Sequence, residues 1–244
     1  MRRSTSAASV APAPVTPEVL EFWRGCDAVA FDVDSTVCED EGIDELGAYC
    51  GKAAEVAAIT RKAMEGGMPF GDALRMRLEA MAISRQQLEA YVQGHPPKFS
   101  PGIKELVSQL RANGKEVYLV SGGFRQMIAP VAAELGIPQE NVHANTITFD
   151  DSGALTGFDT REFPSKAGGK AEAIKHVKRT RGHKAMVMIG DGATDVEARV
   201  EGGADIVIGY GGAQRRANVE AAADWFVLDL RILRDALIVP DASS

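Results

Sequence analysis

Ala28-Val29-Ala30-Phe31-Asp32-Val33-Asp34-Ser35-Thr36 is the stretch on which the reading of the fold turns. Four apolar residues run directly into two carboxylates, with two hydroxyls close behind. A short apolar run without alternation suits a strand buried on both faces, as in a parallel sheet covered by helices. Open α/β sheets bind their ligands at the carboxyl ends of such strands. Asp32 and Asp34 therefore stand where a pair of carboxylates can hold a divalent cation, or where one of them can attack a phosphoryl group.

Further along, the same pattern recurs. Val117-Tyr118-Leu119-Val120 leads into Ser121-Gly122-Gly123, with a helix expected over 125–135. Ala185-Met186-Val187-Met188-Ile189 leads into Gly190-Asp191-Gly192-Ala193-Thr194-Asp195. Ile206-Val207-Ile208 ends at Gly209, Gly209-Tyr210-Gly211-Gly212 reads as a turn, and Trp225-Phe226-Val227-Leu228 reads as the last strand. Ile147-Thr148-Phe149 and Leu155-Thr156-Gly157-Phe158 flank Asp150-Asp151-Ser152-Gly153, a hairpin signal. Strands alternating with helices predict an α/β fold with a doubly wound, Rossmann-like parallel sheet.

The stretch 42–97 interrupts this alternation. Val56, Ile59 and Ala63, then Leu74, Leu78 and Met81, fall at helical spacing. Ser84 and Gln87 have the spacing of a capping box. Gly66-Gly67-Met68-Pro69 breaks the stretch in the middle. It reads as a helical cap domain over 42–97 inserted after the first strand of a core made of 17–41 and 98–244. A helix opens that core, with Thr16 as its cap and Pro17 at its first position.

Residues 1–16 read as a disordered tail or the remnant of a presequence. The first nine are rich in Arg, Ser and Ala and hold no acid, as in organelle transit segments. The remaining composition is that of a soluble globular protein, with 244 residues, 45% of them hydrophobic. A net charge of −7 without a broad basic face argues against a nucleic-acid partner. No apolar run is long enough to span a bilayer. The basic run over 175–181 reads as a solvated helix face. Cys26, Cys38 and Cys50 form no C-x-x-C pair, which disfavours both a zinc site and a disulfide framework and fits a reducing compartment.

Taken singly, Asp-x-Asp, Ser-Gly-Gly and Gly-Asp-Gly are ordinary turn sequences, and a lone lysine is ordinarily solvated. Together with Ser165-Lys166-Ala167-Gly168-Gly169-Lys170, a glycine-loosened loop ending in a lysine, they bring carboxylates, a hydroxyl, free amides and one cation to a single sheet edge. That set suits a phosphoryl group and a hard divalent metal.

Asp32-Val33-Asp34-Ser35-Thr36-Val37, Ser121-Gly122-Gly123-Phe124, Gly168-Gly169-Lys170 and Gly190-Asp191-Gly192-Ala193-Thr194-Asp195 resemble, in order and spacing, the four motifs of the haloacid dehalogenase-like superfamily. Within it the chain is similar, over about 16–237, to the plant and animal branch of the phosphoserine phosphatases. Glu41-Gly42-Ile43-Asp44-Glu45-Leu46, Ala63-Met64-Glu65-Gly66-Gly67-Met68-Pro69-Phe70 and Arg77-Leu78 carry that likeness. The resemblance implies Mg²⁺-dependent hydrolysis of a small molecule, O-phospho-L-serine, to serine and phosphate through a phospho-aspartyl enzyme, the last step of phosphorylated serine biosynthesis.

It further implies Asp32 as nucleophile and Asp34 as acid and base. Mg²⁺ would be held by Asp32, the backbone carbonyl of Asp34, and Asp191, with Asp195 behind them. Ser121, Gly122 and Lys170 would bind the phosphoryl oxygens. Glu41 would take the substrate amine and Arg77 its carboxylate, and Met64, Phe70, Gly123 and Thr194 would complete the pocket. Plant members carry plastid presequences, so the resemblance points to the chloroplast, with the cytoplasm as the alternative. A homodimer stays open. So does action on another small phosphate ester. A phospho-acceptor switch of the receiver type also gathers carboxylates and a lysine at a sheet edge, but lacks a helical insertion after the first strand.

Overall fold

The computed structural model describes residues 12–64 and 68–238; most of the expected tail, the Gly66-Gly67 break and the side chain of Met64 lie outside the described residues. Eight strands occur among them: β1 (Ala28–Phe31), β2 (Glu116–Phe124), β3 (Val142–Asn145), β4 (Ile147–Phe149), β5 (Leu155–Phe158), β6 (Met186–Gly190), β7 (Ile206–Tyr210) and β8 (Trp225–Val227). Six build one sheet in the order β3-β2-β1-β6-β7-β8, every pair parallel. β4 and β5 pair antiparallel as a separate hairpin.

The period of two along each strand sorts its side chains to the two faces. Val29 and Phe31 of β1, with Val117, Leu119, Val187 and Ile189, join a core closed by α1 (Pro17–Gly25), α6 (Ile103–Ala112), α7 (Arg125–Glu134) and α11 (Leu230–Ala236). Ala28 and Ala30, with Tyr118, Val120, Met186 and Met188, face Ala173, Ile174 and Val177 of α8 (Gly169–Arg181). Burial on both faces is why these strands read as unbroken apolar runs. Two short helices complete the core, α9 (Ala193–Val196) and α10 (Ala217–Ala222).

Between β1 and α6 stand four helices: α2 (Gly42–Tyr49), α3 (Ala53–Met64), α4 (Phe70–Met81) and α5 (Arg85–Gly94). They have a core of their own, Leu46, Val56, Leu74, Leu78, Met81, Ile83, Leu88 and Tyr91, which Phe124 and Ile147 also join. Phe149, Leu155 and Phe158 of the hairpin pack against the same cluster, so the hairpin serves as a bracket between helical unit and sheet. α5 opens with the capping box expected of Ser84 and Gln87: Ser84 Oγ accepts the Gln87 N–H at 3.2 Å, and Gln87 Oε1 accepts the Ser84 N–H at 2.9 Å.

The chain departs from the sequence expectation at three places. β3 was not anticipated, because Val142-His143-Ala144-Asn145 is short and half polar, as a strand at the rim of a sheet can be. β2 does not end before Ser121; it continues through Gly123 to Phe124 with a shift of register after Val120. β7 likewise runs on through Gly209 and Tyr210, and Gly211 N–H still donates to Val227 O at 2.9 Å. The glycine at 209 serves close packing rather than a turn: a Cβ there would fall 2.7 Å from a Phe226 ring carbon.

Candidate active site

β1 sits between β2 and β6, where the strand order reverses, and all of the groups singled out above gather at its carboxyl end. Beyond Phe31 the chain makes one wide turn, closed by the Cys38 N–H donating to Val33 O at 2.9 Å. Such five-residue turns often mark functional sites. Ser35 adopts φ 54°, a left-handed conformation that costs a non-glycine residue roughly 1 kcal/mol. The turn is fastened from both ends. Asp32 Oδ1 accepts the Val33 N–H and Asp34 Oδ1 the Gly42 N–H, each at 2.8 Å, and Ser35 Oγ donates to Glu41 Oε1 at 2.8 Å.

Lys170 is the central cation. Its Nζ lies 2.9 Å from Asp32 Oδ2 and 2.6 Å from Asp195 Oδ1, and all three side chains are buried. Gly169 makes this placement possible: a Cβ there would stand 2.0 Å from Phe163 O, so only glycine lets α8 begin so close to the preceding loop. Burial alone would weaken the Lys170 charge, but Asp195 and Asp32 outweigh it and hold the ammonium above its ordinary range. Asp195 is held at its other oxygen by the Gly192 N–H, at 2.9 Å. Gly190 leaves it that room, since a Cβ would come within 2.1 Å of Asp195 Cγ.

Asp191 completes the group. Thr36 Oγ1 donates to it at 3.4 Å, and Arg216 Nε at 3.0 Å. Asp32, Asp191 and Asp195 each offer an oxygen within 4.8 Å of the others. Burial, then the neighbouring Asp32 charge, push the Asp191 carboxyl up to about 6 against the pull of Arg216. Burial and Asp32 likewise push Asp34 up to about 7, only partly offset by the Gly42 N–H. The donors are oxygens alone, with no thiolate or imidazole in the cluster, and the carboxylates outnumber their cations. That chemistry fits a hard divalent ion.

These groups face a cavity of about 570 Å³. Asp32, Asp34, Lys170 and Asp191 line its floor side, with Gly122, Gly123 and Thr194; Glu41, Phe70 and Arg77 line it from the helical unit. Ser121 and Asp195, both fully buried, are not among the residues that line it. Ser121 Oγ accepts the Gly123 N–H at 2.9 Å and so shapes the loop beneath the cavity. Arg77 reaches only uncharged oxygens, Ala73 O at 3.1 Å and Thr60 Oγ1 at 3.5 Å, and no ion pair of Arg77 occurs among the described residues. A half-buried guanidinium that makes no ion pair can take up an anion. Met64 is the one expected pocket residue whose side chain lies outside the described residues.

The helical unit rests on the core. The Phe70 ring approaches Gly122 so closely that a Cβ there would be 3.2 Å from it, and a Cβ at Gly71 would be 3.1 Å from Ser165 O. The helical unit thereby touches the rim of the cavity at Gly122 and Ser165.

Arg216 was not anticipated. Besides Asp191 it reaches Glu41, with Nη2 3.5 Å from Oε1, and so ties the loop after β7 to the helical unit. Its signal in the sequence was position: Gln214-Arg215-Arg216 follows another strand end on the same edge, a loop read there only as a turn. Thr60, Lys166 and Asn218 also line the cavity without having been assigned a role. In the basic run of α8, Lys175 pairs with Glu172 near the surface, whereas Lys178 is largely buried, donating to Gly203 O and to Asp205.

Residues 29–198 match the family described as haloacid dehalogenase-like hydrolase. A protein of Arabidopsis thaliana named "Phosphoserine phosphatase, chloroplastic" is 53% identical over 220 residues, 90% of this chain and 75% of that one. The structure of DsGPDH of Dunaliella salina superposes with a TM-score of 0.82 at 33% identity; the match covers 92% of this chain but only 38% of that one. A structure described as a phospho-aspartyl intermediate analogue of phosphoserine phosphatase superposes with a TM-score of 0.73 at 27% identity, covering 87% of this chain and 99% of that one.

Proposed function

The chain belongs to the haloacid dehalogenase-like hydrolase family, and we propose that it hydrolyses O-phospho-L-serine to L-serine and phosphate through a phosphorylated Asp32, as the last step of phosphorylated serine biosynthesis. One observation carries the substrate: a single cavity joins the carboxylate and lysine edge to Glu41 and to Arg77, which has no ion pair among the described residues. The phosphoryl group faces the edge, the ammonium Glu41 and the carboxylate Arg77. A sugar phosphate has neither of the last two groups.

Asp32 is the nucleophile. The Val33 N–H and Lys170 fix its carboxylate, so one oxygen attacks phosphorus in line as the bond to the serine oxygen breaks. Asp34, protonated because burial and Asp32 raise it, gives its proton to that leaving oxygen. Now a carboxylate, Asp34 takes a proton from water. The water oxygen attacks the same phosphorus, phosphate departs and Asp32 is restored. The Gly122 amide and the Lys170 ammonium receive the phosphoryl oxygens, while Ser121, through the Gly123 N–H, holds the first loop and Asp195 holds Lys170 in place. Mg²⁺ held by Asp32, Asp191 and the main chain of Asp34 would supply further charge neutralisation at the phosphoryl oxygens. The covering helices keep bulk water from the acyl phosphate until serine has left.

We assign the protein to the plastid, on the acid-poor composition of residues 1–9 and the chloroplastic relative; among the described residues, no helix is long and apolar enough to cross a membrane.

The test is steady-state phosphate release by the full chain from phosphoserine, phosphothreonine and glucose 6-phosphate, with Mg²⁺ or with EDTA. Phosphoserine is the preferred substrate, EDTA abolishes turnover, and Asp32→Asn lowers it by about 10³-fold or more. A preference for the sugar phosphate overturns the substrate; undiminished turnover by Asp32→Asn overturns the nucleophile.

A further inference from the structure

Asp34 also borders a second cavity, of about 390 Å³. It sits in the hinge. The chain passes between core and helical unit twice, and the two passages pair as a short ribbon. Ser100 N–H donates to Val37 O and Glu39 N–H to Lys98 O, both at 2.9 Å, with Cys38 bridged to Phe99. Asp34 borders both cavities, and Gly42 packs tightly beside it. A Cβ there would stand 3.0 Å from Asp34 Oδ1 and 3.3 Å from the Met127 methyl.

Both bodies contribute walls. α5 supplies Tyr91 and Val92, the hinge supplies Pro96 and Pro97, and α7 supplies Met127, Ile128 and Val131. The volume falls within the range of small-molecule sites, and the lining is apolar with a few polar groups. Those polar groups are mostly acidic: Asp34, Asp40 and Glu45, against Lys98 and His95. Lys98 is already bound to Asp40 at 2.9 Å. The His95 ring stacks on Tyr91 with centroids 4.3 Å apart, and its Nδ1 lies 2.8 Å from Tyr91 O. Among the described residues, Glu45 has no ion pair and the Tyr91 hydroxyl no hydrogen-bond partner. The field is felt locally. Burial, then Glu45, Asp40 and Asp34, push the Tyr91 phenol up to about 12.

We propose that this hinge cavity is an effector site for a small amphipathic amine, its ammonium set against Glu45 and the Tyr91 hydroxyl and its apolar body against Val92, Met127 and Val131. A carboxylate-bearing ligand of the same shape is refused by Glu45, among the described residues the one of these carboxylates that is both ionised and unpaired. A ligand touching α5 and α7 at once favours the arrangement seen here, with Phe70 against Gly122, over any that parts those two helices. Product leaves when the cover lifts, so the bound amine slows release while tightening the substrate complex. It therefore lowers kcat and KM together instead of competing with phosphoserine.

Calorimetric titration of the full chain with 2-phenylethylamine and, separately, with 3-phenylpropionate tests the site without recourse to turnover, so its failure is distinct from failure of the phosphatase reading. The amine binds and the acid does not. Glu45→Gln weakens the amine about fivefold, the scale of one partly exposed ion pair. Val92→Trp, which fills the cavity from α5, abolishes amine binding and leaves phosphoserine turnover in place. Absence of amine binding at millimolar concentration, equal binding of the acid, binding undiminished in Val92→Trp, or inhibition that raises KM alone overturns the proposal.

Discussion

In the proposed mechanism, Asp34 and Arg77 are the single residues on which most of the chemistry turns. Asp34 is pushed up to about 7 by burial and by Asp32, so its acid form is present below that pH and is lost as pH climbs through it. The step that needs this proton, departure of the serine oxygen, slows correspondingly. The first turnover of phosphoserine, followed by rapid quench from pH 5.5 to 8.5, falls above about 7. p-Nitrophenyl phosphate, whose leaving group needs no proton, gives a much flatter profile, and Asp34→Asn slows its first step far less than that of phosphoserine. In the proposed complex Arg77 acts on the substrate's far end. Removing a charge-assisted, bidentate contact costs about 1.5–3 kcal/mol, so Arg77→Ala lowers kcat/KM for phosphoserine by about 10–100-fold and leaves that for glucose 6-phosphate nearly unchanged. Equal losses on both esters argue against carboxylate recognition.

Elements set these residues in register. The wide turn at 33–37 places both aspartates at the end of β1, and the first residues of α8 and α9 bring Lys170 and Asp195 to meet them. β3 contributes stability more than chemistry. Its His143 is largely buried against Phe163 and His176, with Nε2 unpartnered. Burial, then the His176 and Arg125 charges, push its imidazole down to about 4. The unfolded chain takes up a proton on this histidine near its ordinary value of about 6.5, whereas the folded chain does not. The contribution is therefore fully present above about 6.5 and is lost as pH falls from there towards 4. The raised carboxyls of the site act in the opposite sense over the same range, so the informative quantity is a difference. Urea unfolding at pH 7.5 and 5.0 shows wild type losing about 1–2 kcal/mol more than His143→Leu between the two conditions.

At the scale of the whole molecule, two bodies close over one charged floor. Asp32, Asp191 and Asp195 repel one another, with Lys170 and Arg216 as partial counterions. A bound cation relieves this repulsion, and ligand at a hundredfold excess over its Kd adds about 2.7 kcal/mol. Thermal unfolding thus shifts upward by about 5–10 °C on saturation with Mg²⁺, and EDTA reverses the shift. Asp191→Asn removes one of the repelling charges. It raises the melting temperature measured in EDTA and removes most of the Mg²⁺ increment. A variant that melts lower than wild type in EDTA contradicts the view that the cluster is strained by like charge.

Much of this was legible in the chain. Apolar runs ending in Asp32, Gly190-Asp191 and Ile208-Gly209 specified parallel strands buried on both faces, because only such strands can dispense with alternation. The helical spacing over 42–97 specified a helical insertion, and short motifs at strand ends named most of the polar residues that gather around the main cavity. What the sequence left open were contacts between groups distant along the chain. Nothing local marks Arg216 as the bridge between Asp191 and Glu41, 25 residues from one and 175 from the other. Nor does it mark His143 as a strand residue, Gly209 as a packing position for Phe226, or the hinge cavity between α5 and α7. Periodicity and turn chemistry act over a few residues and can be read from order alone. Ion pairing, burial and cavity shape depend on distances that exist only once the sheet has brought its loops to one edge and the helical unit has settled on it.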